Sequence, residues 1–423
     1  MKWPYCIAIL IFALVYGSLN FYIGWSLWGI LQDWAPSLGW VYWIVFWFVA
    51  LSYIIGRVGA AILPCRLTTC LTVLGSYWLA CMYYLVIILL LADLIRILDQ
   101  RWGFLPEAVK SPQLVALGVT LLMVSILTYG SWNAHHPKIT RYNLEIPKSA
   151  GALNELSIVV VSDIHLGPIV HNGRLRHMVD MVNSLQPDLV LLPGDIIDEN
   201  VKPFLEQKMP DTLKLLNPKY GIYAVLGNHE YMGGHVEETV RHMEEAGVRV
   251  LRDDRVVVAD SFYVVGRDEA MGRRMGQISR RPLSDILSGI DHTKPVIMID
   301  HQPVDLAEAE QNGVNLQISG HTHLGQLFPN QLVTNLLFEN DYGYLKKEDL
   351  QVIVSAGYGT WGPPIRIGNT PEIVHIKIKF GKQGDSPLAS PISGEAEGLS
   401  PCSPKSLVVE DLGGSFDYGV ISV

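Results

Sequence analysis

Five short stretches of this chain close an apolar run with residues able to hold a metal ion. They read Asp163-Ile164-His165, Gly194-Asp195, Gly227-Asn228-His229-Glu230, Asp300-His301 and Gly320-His321-Thr322-His323. Imidazole nitrogen mixed with carboxylate or amide oxygen suits first-row divalent cations. None of the donors is a thiolate, which excludes a structural zinc finger. In an extended or turning segment residues two apart can face the same way, so Asp163 with His165, and His321 with His323, can each converge on one point. The set holds more donors than one ion takes, and a shared carboxylate can bridge two ions about 3.5–4 Å apart. Glycine before Asp195, Asn228 and His321 permits tight turns and close backbone approach. One His or Asp at a strand end is usually a turn or cap residue; five in register are a site.

The elements that must position these residues can be read from the apolar pattern. Runs at 156–161, 189–192, 221–226, 295–299 and 316–318 are rich in Val, Ile and Leu and predict buried strands. Each delivers its polar residues at its carboxyl end, where open α/β sheets build their sites. Further strands are expected at 139–146, 256–258, 262–265, 352–355 and 373–378. Amphipathic stretches at 174–185, 204–216, 236–246 and 304–312 predict helices between them. The result is an α/β domain over 138–380, with the number of sheets left open. Residues 381–423 (SPLASPISGEAEGLSP at their core) are expected to form a flexible Gly/Ser/Pro-rich tail.

The first third of the chain is of another kind. Residues 1–148 hold nine Lys/Arg and five Asp/Glu, the remainder 23 and 36. Ten of eleven tryptophans lie at or before Trp132, and all thirteen histidines at or after His135. Four stretches, 3–32, 34–56, 67–92 and 111–137, lack Asp, Glu, Lys and Arg, and each exceeds the ~20 residues that cross a ~30 Å hydrocarbon core. Four such stretches argue against a cleaved signal peptide and for a helical membrane module over 1–137. Asp93 and Arg96, three apart, are expected to pair at a helix end. With the N-terminus inside, six basic residues (Lys2, Arg57, Arg66, Lys138, Arg141, Lys148) face three outside (Arg96, Arg101, Lys110), which puts the α/β domain on the cytoplasmic side. An apolar fraction of 49% and a net charge of −9 exclude a disordered chain and a nucleic-acid binder relying on overall positive charge. The cysteines form no CxxC pair, and only Cys402 lies in the second half, so nothing calls for a disulfide.

The five blocks resemble the calcineurin-like metallophosphoesterases, whose motifs read D-x-H, G-D, G-N-H-[DE], H and G-H-x-H. With the four spans and the late Tyr358–Arg366 segment, the chain is similar to the membrane-attached branch of that family, transmembrane proteins with a metallophosphoesterase domain. The resemblance implies a four-layer α/β/β/α sandwich. It implies one metal ion held by Asp163, His165, Asp195 and His323, and a second by Asp195, Asn228, His301 and His321, the ions being manganese, iron or zinc. A water bridging them would attack phosphorus in line. His229 would be the general acid for the leaving oxygen, with Asp198 as its carboxylate partner or as a turn or cap residue. Related phosphoprotein phosphatases continue G-D-x-x-D-R-G, whereas Glu199 stands here in place of that arginine. An anion there disfavours a phosphomonoester dianion relative to a diester. Arg366 would supply the missing phosphate contact, or else lie elsewhere on the surface. The basic, Met-containing stretch 271–281 is expected to be a solvated loop or a receiver of an anionic lipid head group.

These readings predict a membrane-tethered metallophosphoesterase that cleaves a phosphodiester or pyrophosphate bond of a membrane-associated, possibly lipid-linked substrate. Two alternatives stand beside it: a hydrolase of the UDP-diacylglucosamine type, and a non-catalytic metal-binding scaffold or sensor. The second is disfavoured because a relic has no need of a general acid.

Overall fold

The computed structural model describes residues 3–33, 35–269 and 280–381. The expected tail from residue 382, with Cys402, and positions 271–279 of the basic stretch lie outside them.

Four long apolar helices come first: α1 (Trp3–Leu31), α2 (Gly39–Val58), α3 (Cys65–Trp102) and α4 (Pro112–Ala134). All four are long and apolar enough to cross a membrane. Many of their aliphatic residues are exposed, while Ala50, Ser52, Gly56, Thr72, Gly75 and Ser76 are buried where α2 and α3 meet their neighbours, as expected where lipid rather than water is the solvent. At Gly75 a Cβ would overlap the Tyr53 backbone, so α2 and α3 touch where no side chain fits. Two differences from expectation stand out. Helix α3 has 38 residues and runs ten past Ala92, through Asp93, Arg96, Asp99 and Arg101, before Gly103 ends it in a left-handed conformation (φ 62°). Charges end an apolar segment without ending a helix; glycine does that. Asp93 accepts a hydrogen bond from Tyr22 Oη at 2.6 Å in place of the expected pairing with Arg96.

The second region is a sandwich of two six-stranded sheets. One has the order β1 (Lys138–Ile146), β12 (Glu372–Phe380), β2 (Glu155–Val160), β3 (Leu189–Pro193), β4 (Ile222–Val225), β5 (Val248–Val250). The other has the order β10 (Gly343–Lys347), β11 (Leu350–Val354), β9 (Leu316–Ser319), β8 (Val296–Ile299), β7 (Phe262–Gly266), β6 (Asp254–Val258). Strands β2 to β5 run parallel, as do β7, β8, β9 and β11. Alternation assigns each side chain to a layer. Ile158, Val160, Leu189 and Leu191 pack between the sheets against Val264, Ile297, Leu316 and Ile318. Val159, Val190 and Leu192 face the other way, onto α5 (Asn172–Ser184) and α9 (Val236–Glu245). Val265, Val296 and Met298 cover the far side of the second sheet with α10 (Leu283–Ile286) and α11 (Leu306–Gln311). Burial on both faces is why these strands read as unbroken apolar runs.

The helix expected over 204–216 is two, α6 (Val201–Glu206) and α7 (Met209–Leu213), separated where Lys208 takes φ 54° ahead of Pro210. Short elements escaped the pattern: β5, β10, α8 (Asn228–Met232), α10 and α12 (Gln331–Leu337).

The spans and the sandwich belong to one compact unit. Leu327 and Ile365 of the sandwich are buried in the same apolar cluster as Ile23, Phe46, Tyr84 and Met123 of the spans. Asn133 at the end of α4 donates to the carbonyls of Arg366 (3.0 Å) and Asn369 (2.6 Å). Residues 134–138 are therefore a docked joint and not a free connector. A fragment beginning at Thr140 would bare Leu327 and Ile365 to water. It is expected to aggregate without detergent, which size-exclusion chromatography beside the full chain would show.

Candidate metal centre

The five strand ends meet at one place. β2, β3 and β4 from one sheet and β8 and β9 from the other end around a buried polar pocket. The turns that bring the donors inward are unusual: Asp163, His165, Asp195, His321 and His323 all have positive φ, between 48° and 71°. Left-handed conformations in non-glycine residues are costly and cluster where function demands a particular aim. Glycines make the approach possible. A Cβ on Gly227 would overlap the Asp195 carboxylate, and one on Gly320 would overlap Ser162 and Asp163.

Two groups of donors form. Asp163, His165 and His323 converge, with His323 Nε2 3.6 Å from Asp163 Oδ1 and 3.0 Å from His165 Nε2. Asp195, His301 and His321 converge beside them, His301 Nε2 lying 3.3 Å from Asp195 Oδ2. Asn228 Oδ1 completes the second group, 3.1 Å from His301 Nε2 and 2.9 Å from His321 Nδ1. Asp195 also reaches the first group, 3.9 Å from His165 Nε2.

The donor chemistry fits divalent cations. His301 Nδ1 lies 2.8 Å from the Pro193 carbonyl and donates to it, which leaves the Nε2 lone pair facing Asn228 Oδ1 and Asp195 Oδ2. Three acceptors aimed at one point need a positive charge between them. Without an ion that charge is a proton on Nε2: desolvation opposes it, yet Asp195 outweighs desolvation and holds the His301 imidazole well above its usual range, so a cation bound there would take the proton's place. Desolvation pulls His165 and His321 down to about 3, so both are neutral lone-pair donors at pH 7.

His229 stands at the edge of the first group. Its Nδ1 is 3.3 Å from Asp198 Oδ1 and 3.7 Å from Glu199 Oε1, ion-pair distances without hydrogen-bond alignment. The Trp361 ring sits 6.2 Å from it.

A family model for the calcineurin-like phosphoesterases matches residues 156–325, the stretch that carries all five strand ends. A protein of Aquifex aeolicus (strain VF5) named "Uncharacterized metallophosphoesterase" is 33% identical over 262 residues, 61% of this chain and 98% of its own. This chain belongs to the calcineurin-like metallophosphoesterases. Two proteins named "Transmembrane protein with metallophosphoesterase domain" match as well. That of Danio rerio is 32% identical over 64% of this chain and 65% of its own, that of Bos taurus 30% identical over 63% and 62%. The chain thus spans just under two thirds of each of these two relatives.

In this metallophosphoesterase the surroundings of the donors include residues that spacing did not announce. Glu230, the last residue of the G-N-H-E motif, is buried and accepts from four backbone N–H groups. They belong to Asp195 (3.2 Å), Ile196 (2.7 Å), Ile197 (2.9 Å) and Gly227 (2.7 Å), so one carboxylate ties the turn after β3 to the turn after β4. The signal was its place in the motif; its role needs the fold.

Arg57, in the last turn of α2, was missed for a different reason. Its guanidinium lies 2.8 Å from Glu199 Oε2 and 3.4 Å from Asp198 Oδ2. The membrane helix thereby neutralises the anion that stands in place of the arginine of the phosphoprotein phosphatases, and the repulsion expected from Glu199 is offset. Arg57→Ala would leave that carboxylate bare beside the site. At ~8 Å and an effective dielectric of ~20 one charge is worth about 2 kcal/mol, so kcat/KM for a phosphomonoester should fall about thirtyfold more than for a diester. Arg57→Lys should recover part of the loss, since an ammonium cannot span both carboxylates. Steady-state rates on p-nitrophenyl phosphate and its bis ester check both.

Arg366 departs from both expectations, for it neither faces the pocket nor lies on the surface. It is fully buried behind His323, donating to His323 Nδ1 (3.1 Å), the Gly357 and Gly359 carbonyls and Asn369 Oδ1. A guanidinium so engaged has nothing to offer a phosphate. Arg280 of the basic stretch also turns inward and pairs with Asp300, whereas Arg281 is exposed and its backbone N–H donates to Asp253 Oδ2 at 2.7 Å.

Proposed function

We propose that this metallophosphoesterase is a membrane-tethered hydrolase with two divalent ions, cleaving a phosphodiester or pyrophosphate bond by in-line displacement at phosphorus. The observation that carries the reading is the donor geometry: two converging groups, each served by Asp195, with His229 at the rim. Asp163, His165, Asp195 and His323 would hold one ion, and Asp195, Asn228, His301 and His321 the other. When bound, two such cations supply an acidified water at neutral pH and offset charge on the phosphoryl oxygens. Manganese, iron and zinc all suit these ligands.

The chain's own residues do the rest. His301 is fixed in one tautomer by the Pro193 carbonyl. Arg366 orients His323 from behind. Glu230 holds the two turns in register, and His229 delivers a proton to the leaving oxygen while Asp198 keeps it charged. We take residues 1–137 as the membrane module, 138–380 as the catalytic domain and 381–423 as a tail. The cytoplasmic side is favoured by the basic residues around Arg57 and Arg66, because the turn between α2 and α3 lies on the catalytic side of the module, as the Arg57 contact requires.

The test uses the full chain in detergent, stripped of metal, with manganese titrated in and bis-p-nitrophenyl phosphate as substrate. Metal-dependent turnover of the diester supports the reading. Failure with manganese, iron and zinc alike would overturn it and favour a metal-binding scaffold.

A further inference from the structure

Helix α12 carries its side chains the wrong way round for water. Leu332, Val333, Leu336 and Leu337 form one face, exposed at 64, 53, 85 and 69%, and Phe328 beside them is 54% exposed. Two of its three polar residues point inward, Thr334 Oγ1 donating to Asp341 Oδ2 (2.7 Å) and Gln331 Nε2 to the Ile367 carbonyl (3.0 Å), while Asn335 is exposed. Single exposed leucines are ordinary, but a contiguous aliphatic face on an otherwise polar catalytic domain marks a contact surface.

Its position names the partner. Asn330, just before α12, accepts from Tyr83 Oη at 2.8 Å, and Tyr83 lies near the middle of the long membrane helix α3. Leu327, three residues earlier, is packed among the spans. The segment leading into α12 is therefore packed against the spans, which sets its apolar face beside the membrane module.

The same helix forms one lip of the metal centre. Phe338 at its end has its ring 6.1 Å from that of His321. Thr322, between His321 and His323, donates to the Asp341 carbonyl at 2.7 Å, and Asp341 is also held by Thr334 of α12. Trp361, 44% exposed, stands beside His229 with its ring 6.2 Å away, its backbone N–H donating to Gln326 Oε1 at 2.9 Å.

We infer that α12 rests in the lipid bilayer with its leucine face among the acyl chains, so that the metal centre opens at head-group level onto a phosphodiester carried by a lipid. The bilayer contact stands on the geometry of α12 alone, whereas the substrate class rests on the phosphodiesterase reading. A helix with an apolar face beside the head groups holds the domain flat on the membrane, and a lipid-borne phosphate then reaches the pocket without leaving the bilayer.

The two halves separate experimentally. Leu336→Cys, made in a full chain whose five native cysteines are serine, would carry an environment-sensitive dye in phosphatidylcholine vesicles. Lipids brominated in the acyl chain should quench it and aqueous iodide should not, with the reverse at Leu215→Cys. Iodide quenching at both positions would overturn the contact whatever the enzyme does. For the substrate, the rate on the p-nitrophenyl ester of phosphatidic acid in vesicles is divided by that on bis-p-nitrophenyl phosphate. Leu336→Glu with Leu337→Glu should lower this ratio about tenfold or more, the loss expected when apolar burial of leucine size is withdrawn. A ratio left unmoved would overturn the lipid substrate. A wild type inactive on both esters would overturn the phosphodiesterase reading and leave the quenching result standing.

Discussion

Asp195→Asn is expected to cut metal-dependent turnover by about a thousandfold while leaving the fold intact. The substitution keeps the shape, and Oδ1 can still accept from the His229 backbone N–H, which it now does at 2.9 Å. What it removes is the charge shared between the two donor groups. It also aims an amide N–H₂ at the imidazole nitrogens of His301 and His165, which present lone pairs to a cation. Metal-derived stabilisation of several kcal/mol at ~1.4 kcal/mol per decade corresponds to roughly three decades of rate. Plasma mass spectrometry on the dialysed variant should show fewer bound ions per chain than wild type, and circular dichroism should be unchanged. Full occupancy with full turnover would remove Asp195 from the bridging position.

The parts of the site legible from sequence share one property: they are local. A strand ending in Gly-Asp or Gly-Asn-His carries both the turn and the donor within a few residues, so 163–165, 195, 228–229, 301 and 321–323 could be placed before any sheet was drawn. What stayed hidden depends on contacts between distant residues. Arg57 and Asp198 are 141 positions apart, and nothing in either neighbourhood names the other. Arg366 looks like a phosphate ligand because it is basic and near the end of the domain. Only the packing of the segment 357–369 shows that it is closed in behind His323. The two-sheet arrangement was equally out of reach of the apolar pattern, because a strand buried on both faces reads the same in one sheet as in two. Helix α12 was passed over because seven residues with four aliphatics give no period to recognise. Its meaning lies in what it fails to cover.

His229→Ala separates the general acid from the metal ligands, because its effect should depend on the leaving group. p-Nitrophenolate is a weak base and departs without a proton; an alkoxide is not and does not. On bis-p-nitrophenyl phosphate the variant should lose little beyond what altered packing against Trp361 costs. On an alkyl phosphodiester it should lose about a hundredfold to ten-thousandfold, the range a positioned acid supplies. The pH profile gives a second handle. Desolvation disfavours charge on His229, but the carboxylates of Asp195, Asp198 and Glu199 prevail and push it up to about 9. Asp198, drawn down to about 2 as the contact with His229 and the charge of Arg57 outweigh its own desolvation, stays ionised across the whole working range. The acid is therefore protonated at neutrality and loses its proton as pH rises through its raised value. Wild-type rates on the alkyl diester should fall on the alkaline side, and that limb should be absent in His229→Ala. In Asp198→Asn, where one of the charges that holds the proton is gone, the limb should move to lower pH. An alkaline limb that persists unchanged in His229→Ala would assign the proton to another group and leave His229 with a positioning role at most.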